Sequence, residues 1–286
     1  MAAWPCELAR GGSALQGSNN VLSLTHRRSP WEIQRAVIFA LMVRELKTRF
    51  GGKLIGIFWV LFEPGANIAM LLYIRGSLID RSVGATIDWP VYHIVAMIPY
   101  FVFRGVWFRS MEAVTANSGL FSYRQVKPID AMVARTVLEV MIYGCVFILA
   151  MAALGWLGMQ FWPDNPLLFM WAVANFAAVG FGFGLISCVL THGKPNARMF
   201  VRLTSIPLYL LSGVILPLKQ FPPDVLRILM YNPAAQLVEM SRQAYFQSYH
   251  PVMFYDPGYP TVVAFLSCAL GMFLYRANRL KLLRRA

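Results

Sequence analysis

The chain is short of charge: 14 % of its 286 residues are Asp, Glu, Lys or Arg, where soluble domains carry about 25 %. With 58 % hydrophobic residues and a mean hydropathy of +0.54, that shortage excludes an ordinary soluble domain. The groups that carry chemistry are scarce too. Cys6, Cys145, Cys188 and Cys268 are scattered, three of them in apolar runs, with no CxxC pair and no histidine cluster; this excludes a disulfide framework and a thiolate metal site. There is no HExxH helix, no GxSxG elbow and no pair of aspartates on facing apolar runs, so the reactions those arrangements serve are excluded. His93 and His192 fall near the ends of apolar runs, where interfacial roles suit them. Gly51-Gly52-Lys53 lacks the rest of a phosphate-binding loop, because Lys47 stands where its first glycine belongs and Leu54 where Ser or Thr should follow. ATP hydrolysis is not expected of this chain. No internal repeat is visible and no ionisable pair falls at mid-span, so the marks of a gradient-driven transporter are missing.

Long apolar runs dominate instead. A helix needs roughly 20 apolar residues to cross a bilayer, and in lipid the backbone must satisfy its own polar groups. Six candidate spans run approximately 55–75, 90–108, 137–157, 167–190, 203–219 and 260–276. The expected fold class is an all-α membrane protein with six transmembrane helices per subunit, an N-terminal amphipathic interface helix, and short re-entrant outer helices between spans 5 and 6. Segments 1–56, 109–136, 191–202 and 276–286 hold eight, four, three and five Lys or Arg, against two, none and three in 75–90, 156–166 and 219–259. Cytoplasmic loops carry the basic excess, so both termini are expected in the cytoplasm. That orientation accounts for most of the net charge of +13, and an anionic cargo is compatible with it.

Residues 1–28 lack the apolar core of a signal peptide and read as a mobile cytoplasmic tail. Ser29-Pro30-Trp31-Glu32 combines a capping box with proline at the first helical position, predicting an interface helix over 29–52. Ile33, Val37, Ile38, Leu41, Met42, Leu46 and Phe50 recur at helical spacing, with Arg35, Arg44, Lys47 and Arg49 on other faces, as in a helix lying on the inner membrane surface. Residues 53–286 are expected to form one six-helix domain. In its first span Trp59, Glu63 and Asn67 share a face at four-residue spacing. A carboxylate facing lipid there would cost about 2.5 kcal/mol or more, so Glu63 is expected at a helix contact, beside a bend at Pro64. Glu139, one turn after Arg135, reads as half of a structural ion pair.

Three further constellations stand out. In the cytoplasmic stretch 112–135, Asn117-Ser118-Gly119 breaks a helix, and Leu120, Phe121 and Tyr123 are apolar anchors that either dock a partner or dip into lipid. In 211–246, Pro217, Pro222, Pro223 and Pro233 cut an apolar region into pieces too short to cross, as broken helices buried in protein or facing a water-filled cavity do. Aromatic residues crowd the first two spans, where they either pack between helices or stack on a glycan. Gly180, Gly182 and Gly184 permit close helix packing.

RELKTRFGG followed by FWVLFEP, then ANSGLFSYRQVKPIDAMVAR, then YNPAAQLVEMSR, together resemble one family: the membrane subunit of ATP-binding-cassette exporters of the ABC-2 type, and within it the capsular polysaccharide exporters of Gram-negative bacteria. The resemblance covers nearly the whole chain beyond the first thirty residues, and its middle motif is the most specific. At Gly56 the chain departs from the pattern, with Leu54 and Ile57 where family members commonly carry a basic residue and a tyrosine. The resemblance implies a homodimer in the bacterial inner membrane that threads a lipid-linked, usually acidic polysaccharide into the periplasm. Each copy would bind one ATPase subunit, which holds ATP and Mg, and this chain would have no catalytic, cofactor or metal residues of its own. A periplasmic co-polymerase and an outer-membrane export protein are implied recipients; nucleic acid is not an implied partner. By the same resemblance Glu45, Arg49, Asn117, Leu120, Phe121, Tyr123, Arg124 and Lys127 would dock the ATPase, those in 109–130 within a coupling loop. Lys53, Phe58, Trp59, Phe62, Tyr100, Phe103, Arg104, Trp107 and Tyr209 would line the polysaccharide channel. Pro217, Pro223, Asn232, Pro233, Glu239 and Arg242 would form an outer gate within 217–246. The alternative cargo is another polymer or lipid, such as O-antigen or teichoic acid; the alternative class is a membrane scaffold that moves nothing.

Overall fold

A computed structural model describes residues 29–50, 62, 65, 66, 69, 70, 73, 87–122 and 126–284. Among these residues the regular structure is helical, with no strand. Among the described residues eight α-helices have defined bounds: α1 (Pro30–Phe50), α2 (Trp89–Ala116), α3 (Pro128–Trp156), α4 (Pro166–Thr191), α5 (Pro195–Leu210), α6 (Pro223–Leu229), α7 (Pro233–Tyr245) and α8 (Tyr259–Arg284). Short 3-10 turns form at Ser118–Ser122 and Leu218–Gln220. Each of the eight begins with proline at its first or second position. There the missing N–H costs nothing and the fixed φ suits the helix. The expected tail 1–28 and most of the first span lie outside the described residues, including Glu63, Pro64 and Asn67.

Contacts divide the chain between Ala36 and Val37, inside α1. In the first unit the Ser29 amide donates to Glu32 Oε2 at 3.0 Å and the Glu32 amide to Ser29 Oγ at 3.2 Å, the expected capping box. The second unit, Val37–Ala286, holds the helical core.

α2, α3, α4 and α8 are long and apolar enough to cross a membrane, and the expected spans at 90–108, 137–157, 167–190 and 260–276 fall on them. Their surroundings differ. In α2, 83 % of the most apolar stretch is buried inside the protein, against 28 % in α3 and in α8. α2 is therefore a core element, whereas α3 turns Met141, Ile148 and Leu149 outward and α8 turns Phe265, Leu266 and Phe273 outward.

The fifth expected span, 203–219, is helical only as far as Leu210. The helix starts at Pro195 and ends at Leu210; its 16 residues reach about 24 Å, short of the roughly 30 Å hydrocarbon core. The break is local. Gly213 adopts φ +77°, and a Cβ there would stand 2.6 Å from Leu218 Cγ. Only glycine accepts both that backbone and that neighbour.

Within lipid, water exclusion no longer drives helices together, so close packing must hold the bundle. α4 supplies it. A Cβ on Gly180 would lie 2.6 Å from the Phe103 carbonyl oxygen of α2, and one on Gly184 would lie 2.5 Å from Ser110 Cβ. Gly182 meets Ser267 of α8, and from α8 Gly271 abuts Leu185, its Cβ position 2.7 Å from Leu185 Cβ. α4 thus lies backbone-close to α2 through Gly180 and Gly184 and to α8 through Gly182.

Candidate functional site

Two polar constructions stand out in the apolar bundle. The first joins α1, from Val37 onward, to α2 and α3 at their loop-proximal ends. Glu139 of α3, 2 % exposed, accepts Arg49 Nη1 at 2.5 Å and Arg109 Nε at 3.3 Å. Arg135, one turn earlier, pairs with Glu45 at 2.7 Å and donates to the Arg109 carbonyl at 3.0 Å. Arg44 Nη1 donates to Asn117 Oδ1 at 2.9 Å, and Asn117 in turn donates to the Ala113 carbonyl. The expected pairing of Glu139 with Arg135 is thus replaced: each reaches α1, where opposite charge stands closer than it does along its own helix. Leu41 adds an apolar contact, buried with Ala113, Val114, Ala131 and Met132.

Glu45, Arg49 and Asn117, expected to dock a partner, therefore commit their polar groups inside this subunit. Leu120 lies in the 3-10 turn. Phe121 is half-buried against the cluster around Leu41. Lys127 is exposed, and its amide donates to Asp130 Oδ2 at the start of α3. Tyr123 and Arg124 lie outside the described residues. Arg202 of α5 pairs with Glu112 of α2 near the same ends.

The second construction is the outer segment. α7 buries eleven of its thirteen residues. Arg242 and Glu239 are wholly buried and pair at 3.2 Å. Arg242 Nη2 also donates to the Gly213 carbonyl at 2.8 Å, and its guanidinium stacks 3.9 Å from the Tyr92 ring centroid. Glu239 further accepts the Tyr249 hydroxyl at 2.9 Å and the Val252 amide at 3.2 Å. Burial, and then the Glu239 carboxylate, pushes the Tyr249 phenol well above its ordinary range, so it remains a donor. Gln236 (3 % exposed) donates to Met230 and Phe254 carbonyls and accepts the Asp256 amide. Such a network makes α7 rigid with the Gly213 turn, the start of α2 and the 249–256 loop, because breaking a buried ion pair costs about 3–5 kcal/mol. Asn232 caps α7 by accepting the Ala234 amide at 3.0 Å, with Pro233 opening the helix. Pro217 precedes the 3-10 turn and Pro223 opens α6.

Between the two, aromatic rings run in contact from α2 to α4 and α5. Tyr100 meets Tyr209 at 5.0 Å and Phe103 at 5.7 Å, and Trp107 meets Phe183 at 5.5 Å. The Trp107 indole donates to Ser187 Oγ at 2.9 Å. Of the expected channel residues, Tyr100, Phe103 and Trp107 are buried in the subunit, Tyr209 is half-buried, and Arg104 is exposed with its guanidinium 5.8 Å from the Phe108 ring. Phe62 is helical and exposed. Lys53, Phe58 and Trp59 lie outside the described residues. Among the described residues no His, Cys, Asp and Glu side chains gather as metal ligands.

Sequence reasoning missed Arg109, Arg44, Tyr92, Gln236 and Tyr249. Gln236, Glu239 and Arg242 recur every third residue, which sets them on one helix face; that spacing is the signal that marks the outer network.

The sequence model of the ABC-2 type transporter family matches residues 36–246. The polysialic acid transport protein KpsM of Escherichia coli is 34 % identical over 251 residues, covering 88 % of this chain and 96 % of that protein. The capsule polysaccharide export inner-membrane proteins CtrC of Neisseria meningitidis serogroup B and BexB of Haemophilus influenzae are each 28 % identical, over 232 and 217 residues. They cover 78 % and 75 % of this chain, and 85 % and 80 % of their own. By the span of the family match and the length shared with these relatives, the chain belongs to the ABC-2 type transporter family.

Proposed function

We propose that this chain is the membrane-spanning subunit of an ABC exporter that moves lipid-linked capsular polysaccharide from the cytoplasm across the bacterial inner membrane, driven by ATP hydrolysis in a separate subunit. The observation that carries the reading is 34 % identity across 96 % of a polysialic acid transport protein. Two copies form the conduit, each with six spans and cytoplasmic termini. Residues 1–28 form a tail, 29–52 the interface helix and 53–286 the transmembrane domain. α5 together with the turn that follows it, and the first span, complete the six, and α6 and α7 are re-entrant outer helices.

One ATPase subunit binds each copy through Phe121, Lys127 and the neighbouring Leu120, Tyr123 and Arg124. Glu45, Arg49 and Asn117 hold that surface in place from within, consistent with their internal partners. Arg104, Tyr209 and Phe62, with Lys53, Phe58 and Trp59, meet the polymer, while Tyr100, Phe103 and Trp107 stiffen the wall behind them. A hydrated polymer needs many weak contacts, since tight binding at one site would arrest it. Pro217, Pro223, Asn232, Pro233, Glu239 and Arg242 form the outer gate, beside which a periplasmic co-polymerase and an outer-membrane export protein receive the polymer.

The test is co-purification with an ABC ATPase subunit of a capsule export system. ATP hydrolysis by the complex in nanodiscs should rise when acidic lipid-linked polysaccharide is added. A complex that forms but shows no stimulation, in cells that also show no surface polymer, would refute the reading.

A further inference from the structure

We propose that Glu139 is the coupling pivot of the subunit, the buried carboxylate through which movement of α1 reaches the membrane-spanning helices α2 and α3. The inference rests on the exporter function proposed above and names the residue that transmits its drive. Glu139 is a positioning residue: it touches neither nucleotide nor polymer.

Three observations carry it. Glu139 is the meeting point of three elements, since it stands on α3 and holds a guanidinium from α1 and another from α2. The protein leaves room for it: a Cβ on Gly105 of α2 would lie 2.8 Å from Glu139 Oε2. The third observation is the order of charge. Along α1 the sequence is Glu45 then Arg49; along α3 it is Arg135 then Glu139, each pair one turn apart. Glu45 meets Arg135 and Arg49 meets Glu139.

That order locks the register. If α1 slipped one turn along α3, either Glu45 would face Glu139 or Arg49 would face Arg135, like against like inside a buried joint. An apolar seam such as the Leu41 cluster permits such slippage, because one methyl group replaces another. Two crossed ion pairs do not. α1 from Val37 onward must therefore travel with the ends of α2 and α3 as one body, so a push delivered to α1 arrives at the spans undiminished. Mere anchoring would need only one pair.

The experiment uses the full chain with its ATPase subunit. Export is read in cells lacking their own copy, as surface acidic polysaccharide stained by a cationic dye. ATP hydrolysis is read on the purified complex. Glu139→Gln keeps the shape and removes the charge. The complex should assemble and hydrolyse ATP at close to the wild-type rate, while export falls by about tenfold, within the usual range of a lost coupling. The fourfold exchange E45R, R49E, R135E and E139R, which reverses both pairs but keeps their alternation, should export several-fold more than R49E with E139R, which re-forms one pair but sets two carboxylates opposite two guanidiniums and so no longer opposes a one-turn slip. Two results overturn the proposal: export unchanged in E139Q, or export and hydrolysis falling together in proportion to the amount of folded complex. If E139Q fails to assemble, the second bridge puts the same question. The fourfold exchange should then export more than E45R with R135E alone, which re-forms the bridge without the alternation, and equal export by the two overturns the lock. Wild-type complex that hydrolyses ATP in cells without surface polymer would instead defeat the exporter reading itself.

Discussion

Replacing Gly180 by alanine should loosen the bundle. A Cβ at this position would stand 2.6 Å from the Phe103 carbonyl oxygen, where ordinary contact begins at 3.4 Å. α4 and α2 must therefore part locally by about 0.8 Å, the difference of those two distances, and the obstructing atom is backbone and cannot rotate away. Overpacking of this kind costs about 1–3 kcal/mol. Alanine returns about 1 kcal/mol in helix propensity, leaving a net loss of up to roughly 2 kcal/mol. Each kcal/mol shifts Tm by roughly 2–4 °C in a chain of this size, so G180A should melt up to about 8 °C below wild type. The assay is thermal unfolding of purified protein in detergent, followed by tryptophan fluorescence. Gly144→Ala is the control. Nothing lies within 4 Å of its added Cβ, so it should melt at or slightly above the wild-type temperature. G180A melting with G144A at or above wild type would refute the packing argument.

The outer network gives a pH dependence. Tyr249 holds its proton in the folded chain above the ordinary phenol value of about 10, because burial and then Glu239 disfavour the phenolate. Above that pH the unfolded chain has released the proton and the folded chain retains it, so stability is independent of this group below about pH 10 and falls as pH rises further. Y249F should remove that part of the slope between pH 9 and pH 11 (about one unit on either side of the phenol value) in thermal unfolding. It should also cost about 1–3 kcal/mol at neutral pH, since Glu239 loses a donor. R242K should be less stable than wild type by about 2 kcal/mol, because an ammonium lacks the fork that reaches both Glu239 and the Gly213 carbonyl while stacking on Tyr92; faster proteolysis at 211–216 would report it. F121A should weaken ATPase binding by about 2 kcal/mol, roughly thirtyfold in affinity, as surface plasmon resonance would measure, and should also lower the melting temperature, since Phe121 packs half-buried against the cluster around Leu41.

The helices at 90–108, 137–157, 167–190 and 260–276 are legible because length and apolarity alone decide them, and proline marks where each begins. The break at Gly213 is hidden in 203–219, because hydropathy averages over a single residue whose effect lies in its backbone angle and in Leu218. The inner site was half legible. Glu139 stands four residues from Arg135, and periodicity proposes that neighbour; its actual partners, Arg49 and Arg109, lie 90 and 30 residues away in sequence. Glu45 and Asn117 looked available for a partner because nothing local shows that Arg135 and Arg44 take them.

The sequence by itself determined that this chain is helical, crosses a membrane, and belongs with transporters of the ABC-2 type. These properties are sums over many residues or local motifs, and neither needs long-range information. Only the tertiary structure decided which charges are spent inside the subunit, which aromatic rings are walled in, and how close α4 comes to α2. Each of those depends on which atoms lie within a few ångströms, and the chain brings them together from positions far apart.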